Sequence, residues 1–107
     1  MAESLPPMTL AQLQAALENP HFRSYVYFGK KTDRGWKVAV RAQEVMPALR
    51  VYLVAPSMAA DVRNQFGVPA SHVGAVFDFG TTVKSTLSKS KADDMFSLTD
   101  AIIAACA

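Results

Sequence analysis

The chain has 107 residues, of which 50% are hydrophobic and 19% are charged. This length and composition predict one domain over residues 1–107, with a flexible leader at residues 1–8 and a core that needs no metal or disulfide support. The single cysteine, Cys106, excludes an internal disulfide, a cysteine-built zinc site and dithiol redox chemistry within one chain.

The first residues combine neither a basic start nor a long apolar run, so they do not predict a secretion signal. No apolar stretch approaches the roughly 18 residues that a membrane helix needs. We therefore expect a cytoplasmic protein without a membrane partner.

Charge is unevenly distributed along the chain. Residues 23–50 contain seven basic and two acidic side chains, a net charge of +5, whereas the rest of the chain carries −3. This basic segment is the strongest electrostatic feature of the sequence and makes a polyanionic partner a hypothesis worth testing.

The first helix has a complete start signal. Thr9 is a suitable N-cap, Gln12 stands three positions later as in a capping box, and leucines follow at helical spacing. Asn19 and Pro20 end the pattern. We expect a helix over residues 9–18.

The next segment contains one clear strand and one ambiguous stretch. Residues 24–28 are aromatic and β-branched, which predicts a strand that ends before Gly29. In residues 30–46, the alternation from Trp36 to Arg41 favours a hairpin and a second strand. A helix capped by Thr32 or Asp33 is the alternative.

The middle of the chain reads as a strand followed by a helix. Residues 49–55 form an apolar β-type run ended by Pro56. Ser57 is placed to cap the following helix, and Gly67 is placed to end it in a left-handed conformation.

The last third predicts a hairpin and a final helix. Residues 73–79 and 82–87 are expected to pair around Gly80. Ser90 and Asp93 form a second capping-box pattern before an apolar helical stripe. The whole order predicts an α/β single-domain sandwich with a central mixed sheet of about four to five strands flanked by helices.

Besides this order of elements, local motifs in the chain resemble those of a known fold. Residues 66–68 end a helix with an aromatic, a glycine and an aliphatic side chain, and residues 76–80 form a strand with phenylalanines before a glycine turn. Together with the opening helix before residues 25–28, these features resemble the thioredoxin-like fold. The resemblance covers most of the chain and implies a thioredoxin-like domain.

The residues that give thioredoxins their chemistry are missing. Residues 32–35, Thr-Asp-Arg-Gly, stand where the family has its Cys-x-x-Cys motif, and a hydroxyl cannot perform thiol–disulfide exchange. His72 stands where the family has its cis-proline. Because a non-proline cis bond costs about 2.5 to 4 kcal/mol, we expect the Ser71–His72 bond to be trans. The resemblance thus implies a redox-inactive domain, and a hairpin after residue 30 would be a further departure from it.

Two loops of this fold are predicted to form a contact region. The candidate binding residues are Lys30, Lys31, Arg34, Trp36, Ser71 and His72. No catalytic residue, metal ligand or cofactor is predicted, because neither histidine has a ligand partner at metal-binding spacing. A loop or strand-entry position is the favoured interpretation of His72, and a general base is the alternative.

Three functions follow, in decreasing order of support. The first is a non-catalytic protein-binding or assembly module that associates with a partner or with itself as a homodimer. The second is nucleic-acid binding through the basic segment and its aromatic neighbours, unless those aromatics are core residues and the lysines solubilise an edge strand. The third, a small enzyme using His72, is the least supported.

Overall fold

The protein is described by a computed structural model that covers residues 10–18, 22–46, 48–54, 56–77 and 82–105. The leader, the Thr9 cap, the Asn19-Pro20 helix stop and Cys106 lie outside these ranges, as does the end of the predicted strand beyond residue 77.

Four strands form one mixed sheet. They are β1 (Arg23–Tyr27), β2 (Leu49–Leu53), β3 (His72–Phe77) and β4 (Val83–Ser88). Their order across the sheet is β2–β1–β3–β4. β1 runs parallel to β2 and antiparallel to β3, and β3 runs antiparallel to β4. The predicted mixed sheet is therefore confirmed, with four strands.

Helices cover both faces of this sheet. They are α1 (Leu10–Leu17), α2 (Arg34–Val45), α3 (Ala59–Phe66), α4 (Lys89–Ala92) and α5 (Met95–Ala105), with a short 3-10 turn at Pro56–Met58. Buried side chains of α2, α4 and α5 share one core cluster with the sheet, and those of α1 and α3 share another. The result is a three-layer α/β sandwich, one of the arrangements that buries both faces of a sheet.

We name the two sides by their helices. The α2 face is filled mainly by Tyr25, Tyr27, Trp36, Val51, Leu98 and Ile102. The α3 face is filled mainly by Leu13, Leu17, Val26, Val62, Ala75 and Phe77.

The strand favoured over residues 36–41 is wrong, because these residues belong to helix α2. Trp36 and Ala39 are buried at helical spacing, whereas Lys37 and Arg41 are exposed. The spacing of the apolar residues fits both the helical and the strand period, so it cannot distinguish a helix from a strand. The strand pairing does distinguish them. β1 and β2 are parallel, and parallel strands need a long crossover, usually a helix, whereas a hairpin joins only antiparallel strands.

One predicted end of helix α3 is confirmed and the other is wrong. Gly67 ends the helix with φ 69°, the left-handed conformation expected there. Ser57 does not cap the helix, because the 3-10 turn at Pro56–Met58 intervenes and Met58 occupies the N-cap position without a side-chain cap bond.

The second capping box is also wrong. The polar run forms the short helix α4, and Asp93 follows its end. Helix α5 is capped one residue later, where Asp94 Oδ2 accepts hydrogen bonds from the backbone N–H of Ser97 at 3.1 Å and from its hydroxyl at 2.9 Å. The motif misplaced the cap because the helical stretch is interrupted between Ala92 and Met95, and α5 begins only after this break.

Within the described ranges, no helix is both long and apolar enough to cross a membrane.

Candidate functional site

The loop between β1 and α2 is organised by Asp33. Its Oδ2 accepts hydrogen bonds from the backbone N–H of Lys30 at 3.0 Å and from the Tyr27 hydroxyl at 3.1 Å. The Lys30 N–H, followed by the Tyr27 hydroxyl, holds the pKa of the Asp33 carboxyl below its ordinary value. Asp33 therefore keeps its charge and fixes the loop at the start of α2.

The ring of Tyr27 supports this loop from beneath. A Cβ atom at Gly35 would stand 2.5 Å from Tyr27 Cε1, and one at Gly29 would stand 2.6 Å from Cε2. The two glycines let the loop approach the ring closely. Burial and then the Asp33 charge raise the pKa of Tyr27, so its hydroxyl remains a hydrogen-bond donor to Asp33.

Arg63, on α3, joins the loop that precedes β3 to the sheet, and we call this loop the second loop. Its Nη1 donates to the carbonyl oxygens of Pro69 and His72. Its Cζ lies 4.4 Å from the centroid of the Phe28 ring, a cation–π contact. Burial lowers the pKa of Arg63, but a guanidinium remains charged at physiological pH. Sequence reasoning missed Arg63 because nothing local distinguishes it from a surface arginine of an amphipathic helix.

A cleft of about 240 Å³ lies where strands β1 and β2 end. We call it the β1–β2 cleft. Lys30 and Arg63 provide its two cations, and Gly29 lines it beside Lys30. Its apolar wall consists of Phe28, Val54, Pro56 and Ala59. The carboxyl ends of parallel strands are a common place for ligands in α/β sheets.

The structure brings only part of the predicted contact region to the surface. Lys30, Lys31 and Arg34 are exposed at the start of α2, and Ser71 is exposed in the second loop. Arg34 Nε donates to the Asp93 carbonyl at 3.2 Å, which ties the loop to the end of α4. These residues remain candidates for binding.

Trp36 is not available at the surface. Its side chain is 1% exposed and packs 6.4 Å from Tyr27, between ring centroids, in the α2-face core. Tyr25 and Tyr27 are buried too. The interpretation of these aromatics as core residues is therefore correct, and they cannot stack on a nucleic-acid base. Trp36 supports the loop instead of contacting a partner.

His72 begins β3 and is partly buried. Its Nδ1 lies 2.6 Å from the Thr86 hydroxyl on the neighbouring strand, within hydrogen-bond distance. The Ser71–His72 peptide bond is trans, as expected. Since one ring nitrogen already contacts Thr86 and the backbone carbonyl accepts from Arg63, His72 has a sufficient structural role.

The basic segment forms an exposed face on α2. Arg34, Lys37 and Arg41 recur at helical spacing along this face, and Lys30 and Lys31 precede it. Arg41 pairs with Glu44 at 3.2 Å. Across the described residues, no three His, Cys, Asp or Glu side chains gather as a metal site.

Comparison with known proteins shows the fold and nothing more specific. The chain is similar to a designed protein whose crystal structure matches with a TM-score of 0.69 and 18% sequence identity, covering 94% of each chain. At this identity the similarity supports the α/β architecture alone. No protein-family model matches the chain, and no curated protein matches it significantly. Any functional conclusion therefore rests on the geometry of the site.

Proposed function

We propose that this chain is a redox-inactive thioredoxin-like domain that acts as a non-catalytic protein-binding or assembly module in the cytoplasm. The strand order β2–β1–β3–β4, with one parallel and two antiparallel pairings, agrees with the thioredoxin-like resemblance of the sequence. A hairpin after residue 30 would have been a departure from that resemblance, but residues 34–45 form helix α2 instead.

The observation that carries the binding function is the β1–β2 cleft beside the Lys30 loop. A charged, exposed loop held in one conformation by Asp33 adjoins an apolar wall. Protein-binding surfaces combine such an apolar centre with a polar rim. Fixing the loop before binding reduces the entropy that association would otherwise cost.

Self-association has its own support on α5. Phe96 is 80% exposed and Ile103 is 59% exposed, and their spacing of seven residues places them on one side of the helix. Exposed large apolar side chains that share a surface are a feature of protein contacts. A homodimer formed through this side of α5 is part of the proposal.

The binding function is tested by affinity capture with two matched double variants. Lys30→Glu/Lys31→Glu inverts the charge of the loop, and Lys84→Glu/Lys91→Glu makes the same change at exposed positions elsewhere. We expect a specific stoichiometric partner to bind the wild type and the second variant but to be lost, by about tenfold or more, from the first. Equal capture by all three proteins would contradict binding at this loop.

Self-association is tested by analytical ultracentrifugation over a range of concentrations. We expect the wild type to dimerise and Phe96→Ser/Ile103→Ser to stay monomeric with an unchanged circular dichroism spectrum. A wild-type protein that is monomeric at all concentrations would remove the homodimer from the proposal.

Nucleic-acid binding is the second candidate, and the basic face of α2 favours it. Because the nearby aromatic rings are buried, such binding would rely on phosphate contacts with little base stacking. Fluorescent DNA should then bind with an affinity that falls steeply with salt and that Arg34→Glu/Lys37→Glu abolishes. A titration that shows no binding at low salt would eliminate this function.

A further inference from the structure

We propose that the β1–β2 cleft binds an acidic side chain together with an adjacent apolar side chain from an extended segment of a partner protein. This inference rests on the proposed protein-binding function and names the chemistry that the cleft selects.

The size of the cleft limits what can enter it. Its volume of about 240 Å³ lies below the roughly 300 to 1,000 Å³ of pockets that enclose whole cofactors and drug-sized ligands. One or two side chains fit such a space, whereas a nucleotide does not. The space therefore suits a short part of a larger molecule, which is the occupant that we propose.

The charge of the cleft requires an anion. Lys30 and Arg63 line it, and none of the described residues that line it is acidic. The acidic residue of the adjoining loop, Asp33, directs Oδ2 to the Lys30 N–H and the Tyr27 hydroxyl. Asp33 attracts Lys30 electrostatically, whereas Arg63 forms no ion pair with the described residues, so a carboxylate in the cleft would offset mainly the Arg63 charge.

Arg63 is held in place at the lining of the cleft. Its Nη1 donates to the two carbonyl oxygens of the second loop, and its Cζ lies 4.4 Å from the centroid of the Phe28 ring. Within the described chain, the structure gives no acceptor to its Nε and Nη2 groups, which carry N–H donors. A preorganised guanidinium binds a carboxylate with less loss of side-chain entropy than a free one.

The apolar wall requires a second group beside the carboxylate. Phe28, Val54, Pro56 and Ala59 form this wall, and a purely ionic ligand would leave it in contact with water. An aliphatic side chain next to the acidic one would cover it, at about 25 cal/mol for each Å² removed from water. The expected motif is an acidic residue flanked by leucine-like residues.

The test uses two peptides that differ only in charge. The probe is acetyl-Ala-Leu-Glu-Leu-Ala-amide. Its control has glutamine in place of glutamate, which keeps the shape and length of the side chain but removes its charge. Titration into the isotope-labelled full chain should move the amide resonances of Gly29, Lys30, Ala59 and Arg63 in a saturable way. We expect the glutamine peptide to bind about fivefold or more weakly.

Variants of the protein locate the site. Lys30→Gln removes a cation from the cleft and Ala59→Leu fills the cleft, so both should lower the affinity for the glutamate peptide by about fivefold. Lys37→Gln removes an exposed lysine on α2 outside the cleft and should leave the affinity within twofold. A two-dimensional NMR spectrum that retains the wild-type dispersion shows that each variant is folded.

The outcomes separate this inference from the wider function. Absent or non-saturable shifts, equal affinity for the two peptides, or equal loss in Lys37→Gln and Lys30→Gln would each overturn the cleft assignment. If a captured partner still depended on Lys30 and Lys31, the protein-binding function would stand without it. If the glutamate peptide bound as expected but no partner were captured, the cleft assignment would stand and the assembly function would fall.

Discussion

Strand β1 sends Tyr25 and Tyr27 to the α2 face and Val26 to the α3 face, and the two faces are filled in different ways. The α2 face contains two tyrosines and a tryptophan beneath the basic loop. The α3 face is filled by aliphatic and phenylalanine side chains. The same strand therefore serves two layers with different chemistry.

The α2 side of the sheet contains buried polar atoms, whereas the buried side chains of the α3 face are apolar. Within the described residues, Tyr25 Oη, Trp36 Nε1 and Asp93 Oδ1 are buried without a hydrogen-bond partner in the protein. An unsatisfied buried group costs about 1 to 3 kcal/mol. The α2 face thus contains buried polar atoms that reduce its stability, whereas the more apolar α3 face supports the wall of the cleft through Phe28 and Val54.

The largest expected effect concerns the glycines that lie against the tyrosine rings. Gly35→Ala places a Cβ atom against the buried Tyr27 ring, and Gly74→Ala does the same against Tyr25. We expect each to lower the free energy of unfolding by about 2 to 3 kcal/mol, because overpacking forces ring or backbone shifts. Urea denaturation monitored by tryptophan fluorescence measures this.

A matched glycine on α3 provides the control. Gly67→Ala meets no atom of the described residues within 4 Å, but its φ of 69° makes alanine strained there by about 1 kcal/mol. If Gly35→Ala cost no more than Gly67→Ala, the close approach between the tyrosines and the glycines would not be a constraint on this face.

A medium effect should separate the two tyrosines. Tyr27→Phe removes the hydrogen bond to Asp33 and should destabilise the protein by about 1 kcal/mol. Tyr25→Phe removes a buried hydroxyl that has no hydrogen-bond partner among the described residues, so stability should stay equal or rise by up to about 1 kcal/mol. Thermal melts of both variants decide this, and a larger loss in Tyr25→Phe would show that its hydroxyl has a partner, such as a buried water.

The smallest effect is the pH dependence that Asp33 contributes. Its folded pKa is below the unfolded value of about 3.9, so the charged form stabilises the fold above that pH. This stabilisation is lost as the pH falls from about 3.9 through the lower folded pKa. The difference in unfolding free energy between wild type and Asp33→Asn should therefore shrink with acid.

Urea denaturation at pH 6 and at pH 3 measures this difference. Tyr27→Phe leaves the Lys30 N–H in place and should retain part of the pH dependence. A difference that stays constant between the two pH values would mean that the Asp33 charge contributes nothing to the stability of the loop.

The sequence predicted some parts of the site and not others. The exposed cations Lys30, Lys31 and Arg34 could be predicted because charge is visible in any local window. Arg63, Val54 and Ala59 could not, because their role depends on strands β1 and β2 ending side by side. Trp36 was placed at the contact region because an aromatic beside lysines resembles a stacking site, and only burial shows that it belongs to the core.

By itself, the sequence determined the α/β class, four of the five predicted strands, the left-handed end of α3 at Gly67 and the basic charge of residues 23–50. These features follow from local periodicity, from glycine conformation and from composition. Tertiary structure alone decided that residues 34–45 form a helix, that the tyrosines are buried and that Lys30 and Arg63 line one cleft. The physical reason is that strand pairing, which is non-local, selects between two backbone conformations that the same apolar spacing permits.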